Sequence, residues 1–219
     1  MRRLPVLLLL LIASTGRADP CDALPKPSVT IKLIEERISY NTEYSYKSLT
    51  NLGAAAARPG HQVLGLTRGN ATVGFTSNTP SIADRTGRWE CASPQITLTY
   101  GFSPITVYVA REFPEGSCAY KEIHAHEMRH VEAYRTHLAG IEKELTEQLT
   151  ARFVTGAVWR GPVGQTAARL RQELDARWVP FVQRQIKRVD EAQGKIDTAE
   201  EYERVTKTCD GEIAKRLKG

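Results

Sequence analysis

Two histidines and a glutamate lie within five consecutive positions near the middle of this 219-residue chain. Their order is His126, Glu127 and His130, which is the HExxH pattern. Histidines four positions apart on a helix project from the same face and can share one metal ion. The glutamate beside the first histidine can then act as general base on a water molecule, whose pKa a zinc ion lowers while polarising the scissile carbonyl. We therefore predict a zinc site with His126 and His130 as ligands and Glu127 as the catalytic base.

A catalytic zinc ion has three protein ligands and an open position, so a third ligand is needed. His137 is excluded because it lies about 16 Å from His126 along a straight helix. His124 is two residues from His126 and projects from a different helix face. A later helix must therefore supply the ligand, as in gluzincins, and among the acids of 198–203 we select Glu203. The alternative for each of these acids is an ordinary solvated charge.

The elements that position this motif change in character along the chain. β-Branched and alternating apolar residues predict strands at 29–33, 71–77, 96–100 and 105–110, with a hairpin turn at 101–104. Helical patterns are found at 45–57, 119–150, 164–189 and 197–217. We predict an α+β fold, in which a small, mostly antiparallel sheet from the N-terminal half packs against the long HExxH helix and further C-terminal helices.

The N-terminus has the composition of a secretory signal peptide. Arg2 and Arg3 precede an apolar run at 4–13, and small residues follow at 16–18. The apolar run is shorter than the roughly twenty residues that span a bilayer. We predict a signal peptide at 1–18 and a single domain at 19–219, periplasmic or secreted, with no stable membrane insertion after cleavage.

The charge of the predicted mature chain gives no reason to expect nucleic-acid binding. The whole chain carries 30 basic and 25 acidic residues, a formal net charge of +5. Removal of Arg2, Arg3 and Arg17 leaves 27 basic residues against 25, or +2. No segment interleaves basic and aromatic residues as nucleic-acid binding would require.

Four cysteines form an even set, and in an exported protein this favours disulfide bonds over free thiols. Three pairings are formally open. We predict a bond between Cys91 and Cys118, which would join the ends of a strand pair. A second bond, between Cys21 and Cys209, would fasten the N-terminus to the last helix.

The motifs resemble a known group of proteins, the exported bacterial family of zinc-dependent proteases catalogued as a domain of unknown function. The resemblance covers most of 28–217 and is carried by these features: the strand at 38–44, Trp89 and Cys91, Phe113-Pro114, the HExxH helix and the segment Tyr202 to Thr206. It implies a zincin-type endopeptidase. Family members continue the last segment with a His-Gly pair, whereas this chain has Thr208-Cys209. If that histidine is a ligand or a transition-state donor, this chain must replace it, for example with Glu203 or Tyr202, or be a weakened or inactive member.

These observations lead to a zinc metallopeptidase that acts on a peptide or protein substrate. An extended peptide could lie on a strand edge beside the metal, unless the last predicted strand is paired on both edges. One alternative is a non-catalytic zinc-binding envelope protein, a degenerate peptidase. Another is a structural envelope protein in which the motif is coincidental.

Overall fold

The computed structural model describes residues 19–54, 61–156 and 158–217. The predicted signal peptide at 1–18, and residues 55–57 of the predicted helix 45–57, lie outside the described residues. The chain has an α+β fold, as the sequence predicts. Its strands are β1 Ser28–Leu33, β2 Ile38–Asn41, β3 Gly65–Asn78, β4 Ser81–Ala83, β5 Trp89–Ala92, β6 Gln95–Val109 and β7 Trp159–Pro162. Its helices are α1 Tyr46–Leu52, α2 Cys118–Phe153, α3 Thr166–Glu173, α4 Val179–Lys187, α5 Val189–Gly194, α6 Ala199–Lys207 and α7 Glu212–Arg216.

The main sheet is built around β6, which is paired on both edges. β3 runs antiparallel to it over nearly its whole length. On the other edge β1 and β2 follow one another, both parallel to β6. A second, smaller sheet of β4, β5 and β7 is antiparallel throughout. The expectation of a small and mostly antiparallel sheet is met, with β1 and β2 as the parallel exceptions.

The predicted hairpin at 101–104 is wrong, because 96–100 and 105–109 are two halves of one strand, β6. The chain does not reverse at this point. A register shift in β3 between Gly69 and Ala71 accommodates the irregular middle of β6. Gly101 has a φ of +151°, and a Cβ at this position would lie 2.4 Å from Ile34. The glycine therefore allows the crossing between β1 and β2 to approach β6 closely.

The long helix α2 starts where the sequence predicts, since the Ser117 side chain accepts a hydrogen bond from the Tyr120 N–H as an N-cap. One face of α2 packs on the main sheet, with Val131 and Leu145 fully buried in the larger core cluster. Alternate residues of β6, including Leu98 and Val107, supply the opposite wall of that core. The HExxH segment is thus fixed on a helix that the sheet supports directly.

The C-terminal helices are interrupted at places that the periodicity did not predict. The predicted helix 164–189 consists of α3 and α4, joined by a π-helical turn over Leu174–Trp178. The predicted helix 197–217 consists of α6 and α7, separated where Asp210 and Gly211 take positive φ values. These breaks reorient the end of the chain, and they bring α7 against α2.

The predicted disulfide pairing is wrong. The bonds join Cys21 to Cys91 and Cys118 to Cys209, not Cys91 to Cys118 and Cys21 to Cys209. The prediction placed Cys91 and Cys118 at the two ends of a hairpin that the chain does not form. Two disulfide bonds indicate an oxidising environment such as the cell exterior or periplasm. Within the described ranges, no helix is long and apolar enough to cross a membrane.

Candidate functional site

The two histidines of α2 lie one above the other on the helix face that borders a cavity next to the sheet. Their Nε2 atoms are 3.2 Å apart. His130 and Glu127 are buried, and the His126 side chain is only 12% exposed. Ligand atoms of His126, Glu127 and His130 lie within 4.8 Å of one another, so this group could hold a metal ion.

Asp197 completes a tighter triangle with the two histidines. It lies between α5 and α6, and its Oδ1 is 3.1 Å from Nε2 of His126 and 3.3 Å from Nε2 of His130. Two ligand atoms bound tetrahedrally to zinc at about 2.0–2.1 Å would be about 3.3 Å apart. The triangle therefore has the size that one small tetrahedral ion requires, and it matches such a site better than a set containing Glu127 does.

Gln193 determines which nitrogen of His130 is available. Its Nε2 donates to the His130 carbonyl oxygen at 3.2 Å, so the amide oxygen is the atom that lies 2.5 Å from His130 Nδ1. An amide oxygen can only accept, so Nδ1 carries the proton. In the neutral ring, Nε2 is then an unprotonated acceptor that faces Asp197. In metal sites, a hydrogen-bond acceptor on the ring nitrogen that does not bind the metal orients the histidine.

The outer nitrogen of His126 has two neighbours with opposite requirements. Glu201 Oε1 lies 3.2 Å from Nδ1 and can only accept, whereas Arg129 Nη2 lies 2.7 Å away and can only donate. The Arg129 contact requires a proton on Nε2, directed at Asp197. The Glu201 contact leaves Nε2 free. A metal ion on Nε2 is compatible only with the Glu201 contact, which then resembles the carboxylate–histidine–metal arrangement.

The carboxylates of the site differ in their protonation. Burial raises the pKa of Asp197, but the hydrogen bonds with His126 and His130 lower it by more, leaving it well below the usual range. The hydrogen bond from Arg204 is the largest effect that lowers the pKa of Glu201, to about 2. Burial raises the pKa of Glu127 above its usual value. Glu127 is therefore the one acid of this set that is shifted toward accepting a proton.

Glu127 is fixed from the sheet side by β3. The Thr67 hydroxyl donates to Glu127 Oε2 at 2.8 Å, which orients the carboxylate. Gly65 makes room for it, because a Cβ at that position would lie 2.5 Å from Glu127 Oε1. The Glu127 carboxylate is thus held between α2 and the first residues of β3.

The structure does not bring Glu203 to the histidines. Its carboxylate pairs with Lys207 at 2.5 Å, and its side chain is 64% exposed, although it borders the same cavity. Tyr202 also lines the cavity, where its ring centroid is 5.2 Å from that of His61. His137 donates to or accepts from none of these groups and contacts the Gln185 carbonyl oxygen at 2.8 Å.

Sequence reasoning missed Asp197 and Gln193, and it included Glu201 among the candidate acids but selected Glu203 instead. The sequence did contain a signal for Asp197, because this acid directly precedes the N-cap residue of a helix. The Thr198 side chain caps α6 by accepting a hydrogen bond from the Glu201 N–H at 3.1 Å. The considered range began at Thr198 and therefore excluded the one acid that contacts both histidines.

No family model, no curated protein and no solved structure matches the chain.

Proposed function

We propose that the protein is an exported zinc-dependent metallopeptidase, in which His126, His130 and Asp197 bind the metal and Glu127 is the general base. The observation that carries the proposal is the triangle formed by the Nε2 atoms of His126 and His130 and the Oδ1 atom of Asp197, 3.1–3.3 Å apart, with a buried carboxylate beside it. Three acceptors at this separation repel one another unless a cation or a proton lies between them. Two imidazoles and a carboxylate are a ligand set that suits zinc.

Zinc held there would supply a nucleophilic water near neutral pH and polarise the carbonyl of the substrate. Glu127 would take the proton of the attacking water and pass it to the leaving amine. Its raised pKa suits a group that must accept and then return a proton. Tyr202, at the wall of the same cavity, is our candidate for donating a hydrogen bond to the developing oxyanion.

The strand edge next to Glu127 supports a peptide substrate. β6 contains the last predicted strand and is paired on both edges, so the prediction of a peptide-binding edge on that strand is wrong. β3 pairs only with β6 in the described part of the chain. The Ala110 N–H donates to the Leu64 carbonyl oxygen, so by the antiparallel alternation the peptide groups of Gly65 and Thr67 point away from β6. An extended peptide could add there by β-augmentation.

Metal content tests the ligand set. We expect about one zinc per chain after dialysis against a weak chelator, retained in Glu203→Ala and lost in His126→Ala and Asp197→Ala. Loss of a side chain that only hydrogen-bonds to a metal ligand costs about 10–100-fold in affinity, so loss of a ligand should exceed this. Zinc retained at full affinity in Asp197→Ala would exclude Asp197 as a ligand.

Glu127→Gln tests catalysis separately from binding. The substitution removes the base but no proposed ligand, so zinc should remain bound while hydrolysis of a casein or peptide-library substrate falls by about 10²-fold or more. If the wild type binds zinc and cleaves nothing, the non-catalytic zinc-binding alternative is supported instead. If it binds no zinc under any loading condition, both proposals fail.

A further inference from the structure

The cavity beside the metal triangle has two ends of different chemistry. Its volume is about 540 Å³, within the range typical of ligand pockets. Imidazoles and carboxylates line one end. Six aliphatic side chains line the other end, which we call the apolar end: Val63, Leu64, Leu66, Ile123, Val205 and Leu217.

The apolar end is built on the smaller core cluster. Val63, Ile123 and Val205 are buried members of that cluster, and they come from the segment before β3, from α2 and from α6. Their positions are therefore fixed by packing. An apolar concavity next to a polar site stabilises a ligand that places an apolar group in it, because that group leaves water.

Gly65 connects the apolar end to the catalytic base. A Cβ at this residue would lie 2.5 Å from Glu127 Oε1 and 2.7 Å from Ile123 Cγ2. The base and the apolar wall thus meet at one point of β3. A peptide paired with the outward groups of Gly65 would present one bond to Glu127 and the neighbouring side chain to the apolar end.

We propose, on the basis of the peptidase function above, that the substrate carries a bulky aliphatic or aromatic residue directly beside the scissile bond, and that the apolar end receives this side chain. Antiparallel pairing with β3 is the more stable arrangement. In that arrangement the start of β3 and the segment just before it, which contains Val63 and Leu64, face the C-terminal part of the peptide. The apolar residue then follows the scissile bond.

The charges of the site add a second requirement. Five carboxylates border the cavity, those of Glu127, Asp190, Asp197, Glu201 and Glu203, against one lysine, Lys207, which pairs with Glu203. An acidic side chain beside the scissile bond would be repelled by these carboxylates and would lose its hydration in the apolar end. The selectivity is therefore for apolar over small residues, and most strongly against acidic ones.

Amino-acid hydroxamates test this without requiring turnover, because the hydroxamate binds the metal and holds its side chain next to it. We expect leucine and phenylalanine hydroxamates to bind zinc-loaded Glu127→Gln protein about 10–100-fold more tightly than alanine hydroxamate, and glutamate hydroxamate to bind most weakly. Equal affinities across the four would overturn the apolar-residue proposal and leave the zinc site intact. Binding of none of them by zinc-loaded protein would overturn the metal site itself.

Two substitutions localise the effect. Val205→Phe fills the apolar end and should reduce the preference for leucine over alanine hydroxamate to about threefold or less. Val163→Phe, at an exposed position after β7, is the matched control and should leave the preference unchanged. Leu64→Lys, with Leu33→Lys as its exposed control, should convert the weakest ligand, glutamate hydroxamate, into one of the tighter ones. If folded Leu64→Lys protein binds the four hydroxamates in the same order as the wild type, the side chain of the ligand does not lie in the apolar end.

Peptide cleavage should follow the same order of side-chain preference as hydroxamate binding. In a peptide library digested by the wild-type protein, cleaved bonds should be followed by leucine, isoleucine, phenylalanine or methionine. Cleavage without enrichment of apolar residues on either side of the bond would overturn the proposal while supporting the peptidase function.

Discussion

Gln193 contacts His130 at two points, with its amide oxygen 2.5 Å from the ring Nδ1 and its amide nitrogen donating to the His130 carbonyl oxygen at 3.2 Å. One side chain thereby sets both the ring orientation and the tautomer. The inner nitrogen is left as the atom that faces Asp197. A single substitution of Gln193 would remove both contacts.

Gln193→Leu should weaken metal binding without abolishing it. Loss of an outer acceptor costs about 10–100-fold in affinity at histidine-bound metal sites. Competition with a chromophoric zinc chelator measures the change. Gln172→Leu, at an exposed position of α3, makes the same chemical change far from the site and should bind zinc as the wild type does. Wild-type affinity in Gln193→Leu would contradict the proposed role of the amide.

Gly65→Ala should impair catalysis more than metal binding. A Cβ at this position would lie within 2.7 Å of Glu127 and Ile123, so the Glu127 carboxylate must move. Overpacking of this kind costs about 1–3 kcal/mol of stability, and misplacing a catalytic group costs about 10²-fold in rate. Peptide hydrolysis, zinc content and a urea unfolding curve separate the effects.

Gly74→Ala is the control on the same strand, because nothing lies within 4 Å of a Cβ there. It should retain activity and stability. Full activity in Gly65→Ala would show that the position of Glu127 is not limited by β3.

The two disulfide bonds should differ in their effect on the metal site. Cys118 is the first residue of α2, and Cys209 follows α6, the helix that carries Glu201 next to Asp197. Replacing both cysteines by alanine frees that segment and should lower zinc affinity by about tenfold, besides costing about 2–5 kcal/mol of stability. Zinc affinity is measured at a temperature at which the variant is fully folded.

The bond between Cys21 and Cys91 provides the matched comparison. It closes a loop of similar length, with a separation of 70 residues against 91, but it fastens the N-terminal segment to β5. Its removal should cost comparable stability with little change in zinc affinity. Equal losses of affinity in both double variants would show that the effect is one of general stability.

Glu90 should make the fold sensitive to acid. Burial raises its pKa, but hydrogen bonds from the Thr166 side chain and backbone and from the Gly164 N–H lower it by more, to about 2 from 4.5. Because the pKa in the folded protein lies below the unfolded value, the stabilisation is complete above about pH 5 and is lost as the pH falls toward 2.

Glu90→Gln keeps an acceptor for Thr166 but removes the charge. It should lower the free energy of unfolding by about 1–2 kcal/mol at pH 7, since hydrogen bonds to charged groups are stronger by about that amount. Urea midpoints measured between pH 7 and pH 3 should show the gap to wild type closing. Glu35→Gln, at an exposed position, should show no such gap. A gap that does not change with pH would argue against an ionised Glu90.

The part of the site that could be predicted is the part fixed by helix geometry. Positions four apart on α2 must share a face, so the spacing of His126 and His130 was sufficient. Asp197 is 71 residues from His126 and is placed by the packing of α5 and α6. A motif defined by short sequence spacing cannot predict a contact between residues this far apart in the chain. Glu203 was selected among the acids of 198–203, whereas Asp197 lies one residue before that range and precedes the Thr198 N-cap of α6.

In the fold, too, local features could be predicted from the sequence and long-range pairings could not. Element types followed from local patterns, including the β-rich first half and the length of α2. The pairing of the cysteines depended on the chain reversing at Gly101, and it failed when β6 proved continuous. One glycine that permits a close approach to Ile34 was interpreted as a turn, and the error was carried into the disulfide assignment.

Asp197 and Glu201 reach opposite ring nitrogens of His126 from positions four apart in the chain, on either side of the Thr198 N-cap. An α-helix turns by about 100° per residue. Insertion or deletion of one residue between Thr198 and Glu201 would therefore rotate the Glu201 carboxylate away while Asp197 stayed in place. The segment is constrained in length more strictly than in composition, so related chains should vary its exposed side chains freely but keep its residue count.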